Sequence, residues 1–273
     1  MPYSNPNHSE YSYLVEFDRA TVIKGEAKVL DDITFTIRPG ENVALLGPNG
    51  SGKSSIIKTI TRDYYPNQNF DRDPVKIFGQ ANWNIFSLRS KLGIVSADMQ
   101  NFLHRNITVR EIILSGFFQS VGLFRNHLVT PEMEIKTDEI MDFLGISHLE
   151  KKTMVTLSAG EERLVMIGKA LIHNPEAMIL DEPTNSLDFR AVHQFRETVQ
   201  KIAQSGKSVI LVTHNLLDII PEINRVLLIK DGRIFSDGPK EEVLNSSNLE
   251  TLFGLPVCLE KEGPYYYLKM QEC

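Results

Sequence analysis

The stretch Gly47-Pro48-Asn49-Gly50-Ser51-Gly52-Lys53-Ser54 limits what this chain can fold into more than any other. It follows an apolar run, Asn42-Val43-Ala44-Leu45-Leu46, and leads into Ser55-Ile56-Ile57-Lys58-Thr59-Ile60, which reads as a helix. Gly-x-x-x-x-Gly-Lys-[Ser/Thr] between a strand and a helix is the phosphate-binding P-loop pattern. Backbone N–H groups can wrap a polyphosphate only where side chains do not block its approach, and that favours Gly47, Gly50 and Gly52. The helix that follows turns the positive end of its dipole toward the same anion. Lys53 can reach the β- and γ-phosphates, and the Ser54 hydroxyl can ligate Mg²⁺. Pro48, Asn49, Ser51 and Ser55 complete the set read as nucleotide-binding.

The rest of the chain alternates strand and helix around this loop. Tyr13, Val15 and Phe17 recur at every second position, and Ile33, Phe35 and Ile37 alternate with threonines, which predicts an N-terminal antiparallel β region. Short apolar strands are expected at 75–79 and 92–95. Ala177–Leu180 and Val209–Val212 are fully apolar runs of the kind found in parallel strands covered on both faces. A helix from Phe189 to Gln204 lies between them, with Val192, Phe195 and Val199 on one side. Asp231-Gly232 predicts a tight hairpin within 226–237. Pro239 opens a short helix, and a last strand pair is expected to turn at Gly263-Pro264. The middle is helical: Thr108-Val109-Arg110-Glu111 has capping-box spacing, with a helix running toward Phe118, and Thr130-Pro131-Glu132 starts another that ends at Gly145. The fold class is therefore α/β, a P-loop NTPase core with a mostly parallel sheet, an N-terminal antiparallel β region and an inserted helical lobe, placed at roughly 97–157. Residues 1–10 are expected to be a flexible tail, 11–273 a single domain, and 225–273 a C-terminal β-hairpin with short helices.

Three later stretches narrow the chemistry. Asp181 and Glu182 follow a buried strand at its C-terminal end, where ligands of parallel sheets collect. Asp181 can hold Mg²⁺ through water, and Glu182 can polarise an attacking water as a general base. A solvated turn is the plainer reading of two adjacent acids. Leu157-Ser158-Ala159-Gly160-Glu161 has the spacing of a helix-capping box at Ser158 and Glu161, and a helix N-terminus with Ser and Gly is also an anion site. His214 lies just beyond a buried strand, where a lone histidine is more often structural than catalytic.

In order and spacing these residues resemble the ATP-binding cassette family over about residues 13–240. The matching motifs are the Walker A loop 47–54, the signature Leu157–Glu161, the Walker B strand 177–181 with Glu182, the D-loop Ser186-Leu187-Asp188, and the switch His214. The resemblance implies ATP and Mg²⁺, a homodimer or a paired subunit of the same family, and ATP held between one subunit's Walker A and the other's signature. Ser158 and Gly160, with Ala159 and Glu161 beside them, would then bind γ-phosphate in trans, while His214 reaches the γ-phosphate and the attacking water in cis. It further implies an ATPase subunit, at the cytoplasmic face of the membrane, that powers separate transmembrane permease subunits, with a substrate-binding protein added in some assemblies. Three positions depart from the family pattern, one of them Ala159 where a Gly is usual, which adds only a methyl group. The family's adenine-stacking aromatic falls at Ile23 or Lys24, and its Q-loop glutamine falls at Ala97, with Asp98 and Gln100 nearby.

Other functions remain to be weighed. A soluble cassette ATPase acting on ribosomes or nucleic acid usually carries two cassettes or long coiled-coil insertions, and a formal net charge of −6 does not suit a nucleic-acid-wrapping surface. A P-loop kinase or transferase has no need of Leu157–Glu161 or His214. Hydrophobic content of 42% and charged content of 23% are those of a soluble globular protein, with no apolar run near the roughly 18–20 residues of a membrane span. Cys258 and Cys273 are too few for a disulfide framework, and a reducing compartment is expected. The aromatic-rich stretch Gly116–Phe124 carries Phe117, Phe118, Leu123 and Phe124, which either fill the lobe's own core or form a groove for a permease helix.

Overall fold

A computed structural model of the chain describes residues 11–67, 73–96 and 106–270. The expected tail 1–10, Cys273 and the Ala97–Gln100 stretch lie outside the described residues. Strands β1 (Val15–Lys24) and β2 (Ala27–Ile37) pair antiparallel, with Phe17 opposite Phe35 and the two rings stacked at 4.8 Å. The next strand, β3 (Val43–Leu46), is buried at every position and delivers the P-loop into helix α1 (Lys53–Ile60). The short β4 (Val75–Ile77) adds to β1 opposite Val15–Phe17. Helix α2 (Ile85–Lys91) is capped by Asn84, whose side chain accepts from the N–H groups of Phe86 and Ser87. It runs directly into β5 (Leu92–Val95). No apolar stripe in the sequence announces α2, on which only Leu88 is buried.

The lobe follows. Helix α3 (Val109–Leu114) begins in the expected capping box: the Thr108 hydroxyl accepts from the Glu111 N–H at 3.3 Å, and the Glu111 carboxylate accepts from the Thr108 N–H at 3.0 Å. The run toward Phe118 tightens into a 3-10 turn at Ser115–Phe118, where Gly116 lies against the backbone of Lys169 and the side chain of Ile172. Helix α4 (Pro131–Leu144) starts on its proline and ends on Gly145 at φ 68°. Arg110 of α3 binds Glu134 and Asp138 of α4, each at 2.6 Å. Helix α5 (Ala159–Leu171) joins lobe to core. Its Gly168 packs beneath Leu144 and Ile113, and elsewhere it lies against β5.

Then come β6 (Ala177–Asp181), α6 (Phe189–Gln204), β7 (Ser208–Thr213), β8 (Arg225–Lys230) and β9 (Arg233–Pro239). Among the described residues the main sheet has the order β5-β6-β7-β3-β8-β9, parallel except for β9. Asp231 and Gly232 both have positive φ, 50° and 74°, as a two-residue hairpin turn of this hand requires. Alternate residues of each central strand enter different cores. Val43, Leu45, Ile179, Ile210 and Val212 pack with α1 and the antiparallel sheet, whereas Ala44, Leu46, Met178, Leu180, Val209 and Leu211 pack with α5 and α6. This period of two, with both faces buried, explains why the strands are apolar throughout.

The chain closes with α7 (Lys240–Val243), α8 (Ser246–Phe253), β10 (Val257–Glu262) and β11 (Tyr265–Met270). Val257 and Tyr266 of this last hairpin enter the core, and β11 packs on the 3-10 turn Leu216–Asp218. Among the described residues no helix is long and apolar enough to cross a membrane.

Candidate active site

The P-loop is fixed by what surrounds it. The N–H of Gly47 donates to the Thr213 carbonyl at 3.4 Å, continuing the β3–β7 ladder past the end of the strand. A Cβ on Gly47 would lie 2.3 Å from the Ile229 carbonyl oxygen, so the loop leaves the sheet in contact with the backbone of β8. Its far side is tied as well, since the Ser51 carbonyl accepts from the Gly232 N–H at 2.9 Å. Gly52 has φ 107°, open to glycine alone, and a Cβ there would meet the Val29 carbonyl at 3.0 Å. The Lys53 side chain is buried, and its ammonium donates to the carbonyls of Gly47 and Pro48 at 2.8 and 3.0 Å. Burial pulls the Lys53 pKa below its ordinary value, while the carboxylates of Glu182 and Asp181 act in the opposite direction. Gly47→Ala is therefore expected to displace the loop. It should cost about 1–3 kcal/mol of stability, the usual effect of overpacking, and weaken nucleotide binding, as read by thermal melts and nucleotide titration.

A cleft of about 730 Å³ opens above the loop. Asn49, Gly50, Gly52, Lys53, Ser54 and Ser55 line one side, and Asp181 and Glu182 the other. The Glu182 N–H donates to the Val212 carbonyl at 2.8 Å, holding the residue just past the end of β6. Glu182 adopts φ 46°, an uncommon conformation for a residue with a Cβ, which turns its side chain back over the P-loop. There Oε1 lies 3.7 Å from the Lys53 ammonium and 3.3 Å from His214 Nδ1, and Oε2 accepts from the Asn185 amide at 2.6 Å. The two sequence candidates for catalysis, Glu182 and His214, are thus neighbours.

The signature residues occupy a different place. Ser158 caps α5, its hydroxyl accepting from the Glu161 N–H at 3.3 Å while Glu161 accepts from the Ser158 N–H at 2.8 Å. A Cβ on Gly160 would lie 2.6 Å from the Ala191 Cβ, so the first turn of α5 sits against the first turn of α6. None of Ser158, Ala159, Gly160 or Glu161 lines the cleft over the P-loop. In the D-loop, Ser186 has φ 66°, Leu187 packs on the core, and the Asp188 carboxylate caps α6 by accepting from the Ala191 N–H at 2.8 Å.

Several cleft residues were not read from the sequence. Lys28, Val29, Ser96, Lys58, Asp231 and Gly232 line it too. Asp231-Gly232 announces a turn, but nothing in the local pattern says that the turn lands on the P-loop. Ile23, one of the two positions where the family's stacking aromatic is expected, is about half exposed near the end of β1, opposite Lys28. The buried Asp218 was also missed, because one acid after Leu216-Leu217 reads as a solvated turn.

The fold and cleft define a P-loop NTPase. The bare glycine floor fits a polyphosphate, and the Ser54 hydroxyl and Asp181 carboxylate are the hard oxygen donors that Mg²⁺ prefers. Residues 30–185 match the sequence model of the ABC transporter family. A protein of Streptococcus mutans carrying the name of an ABC transporter ATP-binding protein is 30% identical over 94% of this chain and 99% of its own length. The uncharacterized ABC transporter ATP-binding protein YlmA of Bacillus subtilis is 32% identical over 89% and 92%. The ADP conformation of MJ1267, an ATP-binding cassette of an ABC transporter, superposes with a TM-score of 0.76 over 89% of this chain and 98% of that one, at 23% identity, and supports the fold. The chain belongs to the ABC transporter family, as an ATP-binding and ATP-hydrolysing cassette that works with Mg²⁺.

Proposed function

We propose that this cassette hydrolyses ATP at a site shared between two subunits and thereby drives a separate membrane permease. The observation that carries this reading is the separation of the two half-sites: the P-loop, Asp181 and Glu182 line one cleft, whereas Ser158–Glu161 present a capped helix N-terminus elsewhere on the surface. One chain alone supplies no signature to its own cleft, so a second copy or a paired cassette brings it. Lys53 and the loop amides hold the phosphates. Ser54 and Asp181 would hold Mg²⁺, which when bound neutralises charge on the β- and γ-phosphates. Glu182 takes a proton from the attacking water, and His214, 3.3 Å away, orients that carboxylate. Ser158 and Gly160 of the second subunit cover the γ-phosphate in trans, and the D-loop Ser186–Asp188 carries contacts across the same interface.

The permease contact is assigned to the end of the lobe. Phe117 packs on the core, edge-on to His173, whereas Phe118 stacks flat on His127 at 4.1 Å and Phe124 meets the same imidazole edge-on. Phe124 is 54% exposed, and Leu123 and Phe118 are half-buried. Gln119 ties this segment to α2 through the Phe86 carbonyl at 2.7 Å, where the Phe86 side chain also faces solvent. The occupant proposed for this surface is a short permease helix with an apolar face, since exposed aromatic clusters usually mark partner sites.

The experiment is co-purification from membranes. Phe124→Ser is expected to leave the melting temperature and basal ATPase rate unchanged while membrane attachment is lost. Phe117→Ser is expected to lower stability instead, toward the about 3–5 kcal/mol of a truncated core phenylalanine. A large melting drop for Phe124→Ser, or undiminished attachment, overturns the assignment of this surface.

A further inference from the structure

Behind the cleft, two loops hang from one buried carboxylate. Asp218 is 3% exposed and lies at the end of the 3-10 turn after β7. One oxygen, Oδ1, accepts from the Thr184 hydroxyl at 2.7 Å; the other, Oδ2, accepts from the Thr213 hydroxyl at 2.5 Å. Thr184 comes two residues after Glu182, and Thr213 immediately precedes His214. The Thr213 hydroxyl also accepts from the Asn215 N–H at 2.9 Å, and the Asn215 side chain caps the turn by accepting from the Leu217 N–H at 3.1 Å. The segments on either side of the Glu182–His214 contact therefore meet at a single point.

We propose that Asp218 is a positioning residue for hydrolysis, holding the Glu182 loop and the His214 loop in register. The inference rests on the proposed role of Glu182. A carboxylate suits the task better than an amide, because it accepts from both hydroxyls at once without either having to turn. Burial raises the Asp218 pKa, and the two hydroxyls together with the nearby Arg196 and His214 offset only part of that rise. The lock is covered from outside. The Arg196 guanidinium of α6 lies 5.1 Å over the ring of Tyr265, and β11, which carries Tyr265, packs on the Asp218 turn. Hydroxyl-to-carboxylate bonds in so dry a place keep their geometry, since no water competes for either partner.

The test uses the full chain with Asp218→Asn, Thr184→Val, Thr184→Ser and the double variant Asp218→Asn/Thr184→Val. Maximal turnover of Asp218→Asn should fall about 10–100-fold, the loss typical of a removed outer partner, with ATP affinity held within about twofold. Thr184→Val should show the same split, Thr184→Ser should keep the parent rate, and the double variant should be no slower than Asp218→Asn alone, because the two changes break one link. Should Asp218→Asn fail to fold, Thr184→Val against Thr184→Ser decides by the same criteria. The inference is overturned if Asp218→Asn turns over at the parent rate. Equal losses of rate and affinity, equal defects in Thr184→Ser and Thr184→Val, or losses that multiply in the double variant overturn it as well. A parent that hydrolyses no ATP, or whose rate survives Glu182→Gln, overturns the Glu182 reading and this inference together; a Glu182-dependent parent with an indifferent Asp218 overturns only this one.

Discussion

Glu182→Gln is expected to lower the maximal ATPase rate by about 10²–10⁴-fold, the usual worth of a general base, while ATP binding survives. The substitution keeps the shape of the side chain and its contact with Asn185, which donates to Oε2 in the parent. It removes the negative charge that lies 3.7 Å from the Lys53 ammonium and 3.3 Å from His214. With one fewer anion in the cleft the γ-phosphate meets less repulsion, so ATP affinity should hold or rise and the ATP-bound dimer should persist on size exclusion. Single-turnover kinetics checks the first part and nucleotide titration the second. Near-parent turnover would remove Glu182 from the mechanism.

A second large effect concerns the shared site. Lys53→Ala deletes the ammonium buried beneath the cleft and should abolish tight nucleotide binding, since a charge-assisted contact to phosphate is lost. Ser158→Arg places a bulky side chain on an exposed helix cap and should leave ATP binding by the single chain nearly intact, yet abolish ATP-driven dimers and turnover. Each variant alone should be inactive. Mixed, they form heterodimers in which one composite site carries both lesions and the other carries neither, so activity should return to a fraction of the parent rate. No recovery on mixing, with heterodimers demonstrated to form, contradicts a site shared in trans.

Much of this architecture was legible because its signals are local. The capping boxes at Thr108 and Ser158, Pro131 and Gly145 bounding α4, and Asp231-Gly232 between β8 and β9 each act within a few residues, and each lies where its chemistry puts it. The P-loop and the acids at the end of β6, Asp181 and Glu182, were equally plain, and the cleft brings them together. What escaped was either sparse or distant. Helix α2 buries a single leucine. Helix α8, expected only as one of the short helices of 225–273, has an Asn245 cap and a terminal Gly254, but just Leu249 and Leu252 are buried between them, too few to place its ends. Asp218 finds its partners 34 and 5 residues away, across two strand ends. Gly232 reaches Ser51 only because β8 lies next to β3 in the sheet. Such pairings are properties of strand order, which no window of sequence contains.

The ties on the P-loop bear on the thermodynamics of nucleotide capture. With Gly47 pressed against the Ile229 carbonyl and Ser51 bonded to Gly232, the loop holds its shape through contacts with β8 and the β8–β9 turn. Little backbone freedom is left to lose when a phosphate arrives, so the conformational entropy of ordering the loop was spent when the chain folded. The charge that meets the phosphate is held in place too, since the Lys53 ammonium is bonded to the Gly47 and Pro48 carbonyls of the loop. Calorimetry of nucleotide binding should give a modest heat-capacity change and an affinity that falls as salt is raised, the signature of a charged ligand entering a socket already built.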